Sequence, residues 1–206
     1  MTLDPCYLIV DSTAWIERLV PLGVKLVQLR IKELPVAEVR REVAAAKALC
    51  MRAGVCLVVN DHWQAALDEG CDFVHLGQTD LDTADVPALR KAGIRLGIST
   101  HSHTELDRAL AFGPDYVALG PIYPTKLKHM PWAPQGLERI TEWKRLVGTT
   151  PLVAIGGLTL ERLAGVFAAG ADSAAVVTDI LRHPDPEART RDWLATARRA
   201  TRRAAS

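Results

Sequence analysis

Two aspartates follow consecutive apolar segments of the sequence. Asp61 ends the segment VCLVVND, and Asp80 comes shortly after the segment FVHLG. If these segments are neighbouring parallel strands, the two carboxylates emerge side by side, and their mutual repulsion favours a cation between them. Mg²⁺ bound together with a phosphorylated substrate is the natural candidate. Each aspartate could instead cap a following helix, but the amides of Asn60 and Gln78 beside them favour a binding site.

Basic residues near other segment ends could face the same place. Arg30 and Lys32 are two positions apart on an extended segment, so their side chains point the same way. Lys128 lies in a later loop that is rich in proline and lysine. Together with the cation, these three groups would suit a diphosphate. The alternative is the solvated surface position that is usual for lysine and arginine.

A glycine pair indicates a second anion site. Gly156 and Gly157 end the seventh apolar segment, and Val177 and Thr178 lie near the end of the eighth. Glycine permits close backbone approach, and exposed N–H groups at the start of a loop or helix bind phosphate. The same pair also serves in ordinary tight turns. Two anion sites would accommodate two phosphorylated molecules, which favours group transfer over hydrolysis.

No residue pattern indicates a protein nucleophile or a zinc centre. The sequence contains no Gly-x-Ser-x-Gly motif, and no cysteine stands beside a histidine. His101 and His103 have no third ligand at metal-binding spacing, so we expect neither to bind zinc. His75 lies inside an apolar segment, where we expect it to point into the protein interior with a hydrogen-bond partner.

The composition indicates a globular protein that acts on small molecules. The 206 residues carry 25 Lys and Arg against 24 Asp and Glu, and 5% of them are aromatic, which argues against a nucleic-acid partner. No apolar run reaches the ~18 residues of a membrane span. The first residues are typical of a strand rather than a signal peptide. The four cysteines have no paired spacing and suit a reducing cytosol, so we expect a cytoplasmic protein.

Eight apolar segments, each followed by a helical pattern, run through the chain. They are continuous rather than alternating, as in parallel strands that are covered on both faces. Strands are predicted at 6–11, 25–32, 55–61, 73–77, 95–100, 116–120, 151–157 and 173–180. Helices are predicted at 13–23, 35–53, 62–70, 84–92, 103–112, 137–147, 159–169 and 185–203. This repetition, with polar residues at most strand ends, favours a single (β/α)₈ TIM barrel domain that comprises residues 1–206. The alternative is an open doubly wound sheet.

Seven short motifs occur in the order and spacing of a known family. They are QLRIK (28–32), ND (60–61), HLGQTDL (75–81), GIST (97–100), GPIYPT (120–125), IGG (155–157) and AVVT (175–178). Over residues 7–180 the sequence thereby resembles thiamine phosphate synthase. The resemblance implies a (β/α)₈ barrel that uses Mg²⁺. It also implies a transferase that joins an aminopyrimidine methyl diphosphate to a thiazole phosphate, giving thiamine phosphate and pyrophosphate, with loss of carbon dioxide when the thiazole is carboxylated.

The resemblance further implies roles for individual residues. Asp61 and Asp80 correspond to the Mg²⁺ ligands. The positions that bind the pyrimidine diphosphate are Gln28, Leu29, Arg30, Ile31, Lys32, Asn60, Ser99 and Lys128. Of these, Arg30, Lys32, Ser99 and Lys128 would also serve catalysis. The positions that bind the thiazole phosphate are Thr125, Lys126, Leu127, Gly157, Val177 and Thr178. In the family the thiazole nitrogen attacks the carbocation left by the departing diphosphate, so no protein nucleophile is needed.

Two positions depart from the family pattern. Members usually read Pro-Thr-x-Thr-Lys after the sixth strand, and Leu127 replaces the hydroxyl that they direct at the thiazole substrate. That contact is lost here, or it comes from the backbone or from Lys126. Thr178 replaces a commoner serine and keeps the hydroxyl.

Three other functions agree with parts of the sequence. A thiazole tautomerase would carry a histidine as general acid and base where this chain has Pro121. A ligand-binding paralogue without activity is suggested by Leu127. A phosphosugar isomerase or decarboxylase would not need both the aspartate pair and the basic set. The synthase interpretation implies small-molecule substrates with no nucleic-acid or membrane partner, and it leaves a homodimer open.

Overall fold

The barrel predicted from the sequence is present in the computed structural model of the chain, which describes residues 2–125 and 132–204. The strands are Cys6–Val10 (β1), Leu26–Leu29 (β2), Cys56–Asn60 (β3), Phe73–Leu76 (β4), Arg95–Thr100 (β5), Tyr116–Leu119 (β6), Leu152–Ile155 (β7) and Ser173–Val176 (β8). All pair in parallel in sequence order, and β8 pairs with β1 to close the sheet. This closure confirms the (β/α)₈ architecture, and the open sheet is wrong.

Helices cover the outside of the barrel. They are Thr13–Leu19 (α1), Val36–Ala53 (α2), Trp63–Asp68 (α3), Val86–Lys91 (α4), His103–Ala111 (α5), Gly136–Val147 (α6), Leu163–Ala168 (α7), Thr178–Leu181 (α8) and Pro186–Ala204 (α9). Short 3₁₀ turns span Val20–Leu22, Asp80–Asp82 and Leu160–Arg162. The long α2 has the predicted punctuation, since it follows Pro35 and ends at Gly54, whose φ of 62° is left-handed. None of the described helices is long and apolar enough to cross a membrane.

Side chains along the strands alternate between two apolar layers. The inner layer fills the barrel and consists of Leu3, Tyr7, Ile9, Leu26, Val58, Phe73, Tyr116, Ala118, Val153 and Ala175. The larger outer layer lies between the strands and the helices. Trp193, Leu194 and Ala197 of α9 are buried in this outer layer, as the sequence predicts. Because both faces of the sheet are buried, only the strand ends remain free to bind a ligand.

The eighth unit differs from its prediction. The sequence predicts a strand over 173–180, but β8 ends at Val176 and Thr178 begins α8. The Asp179 carboxylate accepts hydrogen bonds from Arg189 Nε at 3.0 Å and from Trp193 Nε1 at 2.6 Å. These bonds tie the segment to α9 and hold it in a helical turn. The strand prediction is therefore wrong beyond Val176, because a short apolar run does not distinguish a strand from a buried helical turn.

Candidate active site

The carboxyl ends of the strands surround a cavity of about 600 Å³. This volume is typical of small-molecule sites, and this end of a (β/α)₈ barrel is where chemistry occurs. The predicted site residues that line it are Gln28, Arg30, Lys32, Asn60, Asp61, Asp80, Ser99, Thr125, Gly157, Val177 and Thr178. The barrel thus gathers residues from β2 to β8 around one space.

Two of the predicted residues that the structure describes do not line the cavity. Leu29 and Ile31 alternate with the cavity residues of the same segment, and both side chains are buried in the outer apolar layer. Any contact of these two residues with a ligand would therefore come from their backbone groups. Lys126, Leu127 and Lys128 lie outside the described residues.

The two aspartates follow neighbouring strands. β3 pairs with β4 so that Asn60 lies opposite His75, and the Asp61 N–H donates to the His75 carbonyl at 2.9 Å. Neither aspartate is a helix cap, because His62 occupies the N-cap of α3 and Asp80 lies inside the 3₁₀ turn after β4. The two carboxylates stand close enough to interact directly, as strand order predicts, and the capping alternative is wrong.

The backbone at both aspartates is specialised. Asp61 has φ 61°, in the left-handed region that side-chain-bearing residues seldom adopt and that asparagine and aspartate tolerate best. The Oδ2 atom of Asp80 accepts a hydrogen bond from the Gly77 N–H at 2.8 Å. A Cβ on Gly77 would lie 2.9 Å from that oxygen, so a side chain there would push the carboxylate away. Backbone strain of this kind clusters at functional sites.

Lys32 and the two aspartates form an electrostatic cluster. Lys32 Nζ lies 2.5 Å from Asp61 Oδ2. Burial opposes ionisation of Asp61, but the Lys32 ammonium outweighs burial and holds the pKa of Asp61 below its usual range. Burial, followed by the neighbouring Asp61 carboxylate, raises the pKa of Asp80 above its usual range. A cation bound between the carboxylates would relieve this repulsion.

Arg30 adds a second basic group to the same wall of the cavity. Within the described part of the chain its guanidinium forms no salt bridge, so it is available to an anionic ligand. We call Arg30, Lys32, Asp61 and Asp80 the charged side of the cavity.

Two buried amide atoms at the cavity wall have no hydrogen-bond partner among the described residues. They are Asn60 Nδ2, a donor, and Gln78 Oε1, an acceptor. Gln78 Nε2, in contrast, donates to the Ser99 carbonyl at 2.9 Å. An unpaired buried polar atom costs about 1–3 kcal/mol. Both atoms are therefore expected to bind a polar ligand or a water molecule.

The opposite wall presents backbone rather than charge. Gly156 and Gly157 have φ of 98° and 66°, and they run close against the loop after β6. Ile122 N–H donates to Ile155 O at 2.9 Å, and a Cβ on Gly157 would lie 2.6 Å from Pro124 O. Only glycine allows the two loops to approach in this way.

A short helix begins beside this glycine turn. Thr178 is the first residue of α8 and lines the cavity. Backbone N–H groups at such a helix start, together with the loops after β7 and β8, are a common phosphate site in these barrels. We call Gly156, Gly157 and Thr178 the glycine side of the cavity.

Two tyrosines inside the barrel were missed by sequence reasoning. Tyr7 and Tyr116 are buried inside the barrel with their hydroxyls 2.9 Å apart. Tyr116 Oη also lies 2.7 Å from His75 Nδ1, so the prediction of an inward-pointing, hydrogen-bonded His75 is confirmed. Burial lowers the pKa of His75 to about 4, which keeps the imidazole neutral at physiological pH. Tyrosine at inward strand positions was the available signal, because a buried hydroxyl needs a partner.

His101 and His103 contribute to structure around the rim. His101 stacks on Trp132 with ring centroids 5.4 Å apart, and its Nδ1 lies 2.8 Å from Glu105 Oε2. His103 Nε2 lies 2.7 Å from Glu142 Oε1. Both histidines are thus engaged with carboxylates of α5 and α6.

A barrel with paired carboxylates, basic side chains and a glycine turn around one cavity defines a class, the (β/α)₈ enzymes that act on phosphorylated small molecules. Residues 6–180 match the family model of thiamine monophosphate synthase. The thiamine-phosphate synthase of Rhizobium etli is 65% identical over 195 residues, covering 95% of this chain and 96% of the relative. That of Klebsiella pneumoniae is 49% identical over 191 residues, covering 93% and 90%. The chain belongs to the thiamine monophosphate synthase family.

A solved structure supports the fold. Thiamine phosphate pyrophosphorylase from Pyrococcus furiosus superposes with a TM-score of 0.85, covers 96% of each chain and shares 24% of its sequence. At that identity the similarity bears on the architecture alone. The resemblance inferred from the seven motifs is therefore confirmed by the family match and by the relatives, and the barrel by the structural match.

Proposed function

We propose that this chain transfers an aminopyrimidine methyl group from its diphosphate to the nitrogen of a thiazole ethyl phosphate. The bond between the methylene carbon and the diphosphate oxygen breaks, and pyrophosphate leaves with both electrons. The thiazole nitrogen then forms the new C–N bond with the cationic methylene, which gives thiamine phosphate. A carboxylated thiazole would also release carbon dioxide. The proposal rests on one observation above all: a charged side and a glycine side face each other across a single cavity.

The charged side suits the diphosphate. Arg30 and Lys32 follow the carboxyl end of β2 and line the cavity. Both can therefore reach the phosphate oxygens through charge-assisted hydrogen bonds. The unpaired Asn60 Nδ2 offers a further donor. Ser99 contributes a hydroxyl on the neighbouring wall. Neutralising the departing charge in a closed site is the main catalytic task, because the reaction needs no protein nucleophile.

Asp61 and Asp80 suit Mg²⁺. Both offer hard oxygen ligands, and burial together with the neighbouring Asp61 carboxylate raises the pKa of Asp80, so a divalent cation between the two would stabilise their charged forms. Among the described residues no cluster of three acidic, histidine or cysteine side chains could enclose an ion. Substrate phosphates and water would therefore complete the coordination. When bound, the ion would neutralise the diphosphate and favour its departure.

The glycine side suits the single phosphate of the thiazole substrate. The left-handed turn at Gly156 and Gly157 and the first turn of α8 meet at the cavity wall. Thr125, Val177 and Thr178 line the same region, and two of them carry hydroxyls. Holding both substrates in one cavity orders the reacting atoms and excludes water, which would otherwise capture the cation.

The chemistry of the rim argues against the tautomerase alternative. Pro121 lines the cavity where a tautomerase would need a histidine, and proline has no group that transfers a proton. His75 does not replace it, because it lies on a different strand, β4, and its Nδ1 is engaged with Tyr116. A phosphosugar isomerase or decarboxylase would not need both the aspartate pair and the basic residues beside it. We also propose a cytoplasmic location, since the four free cysteines, three of them buried, suit a reducing compartment.

The test is an assay of the purified chain with both substrates and Mg²⁺, in which thiamine phosphate and pyrophosphate are followed together. Equal amounts of the two products should appear only when both substrates and the metal are present. Omission of the thiazole separates transfer from simple hydrolysis of the diphosphate. Binding of both substrates without any product would support the inactive paralogue instead.

A further inference from the structure

A line of four hydrogen-bonded side chains crosses the barrel at the cavity. Gln28 Nε2 donates to Tyr7 Oη at 2.9 Å, Tyr7 Oη lies 2.9 Å from Tyr116 Oη, and Tyr116 Oη lies 2.7 Å from His75 Nδ1. Gln28, Tyr7 and His75 line the cavity, whereas Tyr116 lies in the inner apolar layer and does not line it. Tyr116 can therefore influence a ligand only through its neighbours in the line.

Every link of this line is satisfied when its protons are donated in one direction. Tyr7 then accepts from Gln28 and donates its single proton to Tyr116. Tyr116 in turn donates its own proton to His75 Nδ1. In that direction the neutral imidazole carries its proton on Nε2. At the other end, the Gln28 amide turns its NH₂ group to Tyr7 and keeps its oxygen for a donor in the cavity.

The absence of a side chain at Gly97 leaves space for the Tyr116 ring of this line. A Cβ on Gly97 of β5 would lie 2.1 Å from Tyr116 Cζ, so the ring crosses the barrel in space that only glycine leaves open. The Tyr116 ring is also held by Phe73, at a centroid distance of 5.5 Å, and stacks on His75 at 5.6 Å and 12°. The hydroxyl of Tyr116 is thus fixed at the centre of the barrel.

We propose that Tyr116 and Tyr7 are positioning residues that fix the Gln28 amide and the His75 tautomer toward the substrate. Gln28 then presents a carbonyl oxygen and His75 an Nε2–H, a pair that suits a heteroaromatic ring with an exocyclic amine and a ring nitrogen. This ligand class is that of the aminopyrimidine, so the inference rests on the proposed function. Tyr116 does not line the cavity and acts through Gln28 and His75, whereas Tyr7 lines the cavity and links Tyr116 to Gln28.

Tyr116→Phe is the direct test, because it removes the hydroxyl and keeps the ring. Without Tyr116 as acceptor, the Tyr7 proton can turn to Gln28, and the amide can then rotate and present its NH₂ group to the cavity. We expect kcat/KM for the pyrimidine diphosphate to fall about tenfold, as for one lost buried hydrogen bond, while KM for the thiazole phosphate stays unchanged. Tyr7→Phe should show the same selective loss. The double variant should lose no more than the larger single loss, since both act through one line.

Thr100→Val is the matched control. Thr100 is equally buried and bonds to Ala118 O at 3.0 Å and to Trp143 Nε1 at 2.9 Å, but it lies outside the barrel cavity. It should lower the melting temperature about as much as Tyr116→Phe and leave both KM values unchanged. If Tyr116→Phe affects the two substrates equally, or no more than Thr100→Val does, the positioning role is overturned.

A measurement that needs no turnover separates this inference from the proposed function. The ¹⁵N shifts of His75 should show an unprotonated, hydrogen-bonded Nδ1 in the wild type and a changed Nδ1 in Tyr116→Phe. A protonated Nδ1 in the wild type would overturn the proposed direction of the line even in a fully active enzyme. An inactive wild type with the expected shifts would reject the function and retain the line.

Discussion

The charged side and the glycine side of the cavity offer an anion different kinds of contact. The charged side has long side chains and two carboxylates at the ends of β2 to β4, and its key contact is the 2.5 Å approach of Lys32 to Asp61. The glycine side has left-handed backbone at Gly156 and Gly157 and a helix start. Side-chain charge can balance a leaving group whose charge changes during reaction, whereas backbone dipoles suit a phosphate whose charge stays constant. Under the proposed function, one cavity would thus separate the reacting diphosphate from the anchoring phosphate.

The largest effect should come from the paired carboxylates. Asp61→Asn and Asp80→Asn should each lower kcat by more than about 10²-fold, because charge stabilisation of the leaving group is lost. Asparagine keeps the shape and tolerates the left-handed backbone of Asp61, so the fold should survive. Mg²⁺ should raise the melting temperature of the wild type and of neither variant, as measured by thermal melts with and without the ion.

Asp82→Asn is the control for that pair. Asp82 lies in the same 3₁₀ turn as Asp80, but its side chain is 64% exposed and contacts Arg108 at 2.6 Å. Its removal should leave kcat and the effect of Mg²⁺ near those of the wild type. Retained activity in Asp61→Asn or Asp80→Asn would contradict the assignment of the charged side as a metal site.

Lys32→Met should weaken the binding of one substrate and leave the binding of the other unchanged. We expect KM for the pyrimidine diphosphate to rise about 10–50-fold, since a charge-assisted contact with the diphosphate disappears. KM for the thiazole phosphate should not change. Lys25→Met, at the opposite end of the same strand segment, removes an equal charge away from the cavity and should alter neither value. Equal increases for both substrates would remove the distinction between the sides.

Gly157→Ala should give the reverse pattern. The new Cβ would meet Pro124 O at 2.6 Å, so the turn must shift, and KM for the thiazole phosphate should rise about tenfold. KM for the pyrimidine diphosphate should stay the same. Gly113→Ala has the same left-handed strain at φ 60° but meets nothing within 4 Å, so it controls for backbone strain alone. If the two variants change KM for the thiazole phosphate equally, the close approach of the two loops at Gly157 does not contribute to binding.

The smallest effect on catalysis should come from the anchor of α8. Asp179→Asn leaves the half-buried Arg189 without its charged partner and should lower the melting temperature by about 5 °C. KM for the thiazole phosphate should rise only about threefold, because α8 loosens without losing its backbone donors. Glu187→Gln breaks the more exposed ion pair between Arg18 and α9 and should leave both quantities near the wild type. If Asp179→Asn leaves KM for the thiazole phosphate unchanged, the contact between Asp179 and α9 is not needed for α8 to bind the phosphate.

The contrast also explains what could be predicted from the sequence. The sequence predicted that four charged residues lie together, namely Asp61, Asp80, Arg30 and Lys32. Their charges follow from the residue types, and their proximity follows from the order of the strands that they end. The strands themselves were predictable, because parallel strands covered on both faces are continuous apolar runs. The thiazole contact affected by Leu127 stays a prediction, since that residue lies outside the described chain.

Other features depend on contacts between residues that are distant in the sequence, and local sequence patterns do not predict such contacts. The end of β8 is decided by Asp179 and its partners on α9, which lie ten or more positions away. The bond between Tyr7 and Tyr116 joins β1 to β6, strands that are not neighbours in the sheet, so strand order gives no hint of it. Leu29 and Ile31 show that a binding motif does not state which of its side chains face the ligand. They belong to a motif whose alternate residues reach the cavity, and the period of two sends their side chains to the outer layer.

The left-handed backbone of Asp61 restricts how this position can evolve. Its φ of 61° disfavours β-branched and bulky residues and favours aspartate, asparagine and glycine. Of these three, only aspartate brings a negative charge. Glutamate does occur in this chain at φ 62°, as Glu33, so a glutamate at position 61 would keep the charge but would add backbone strain and a longer side chain. Variants at this site should sort into folded but inactive proteins and strained ones, with few intermediates.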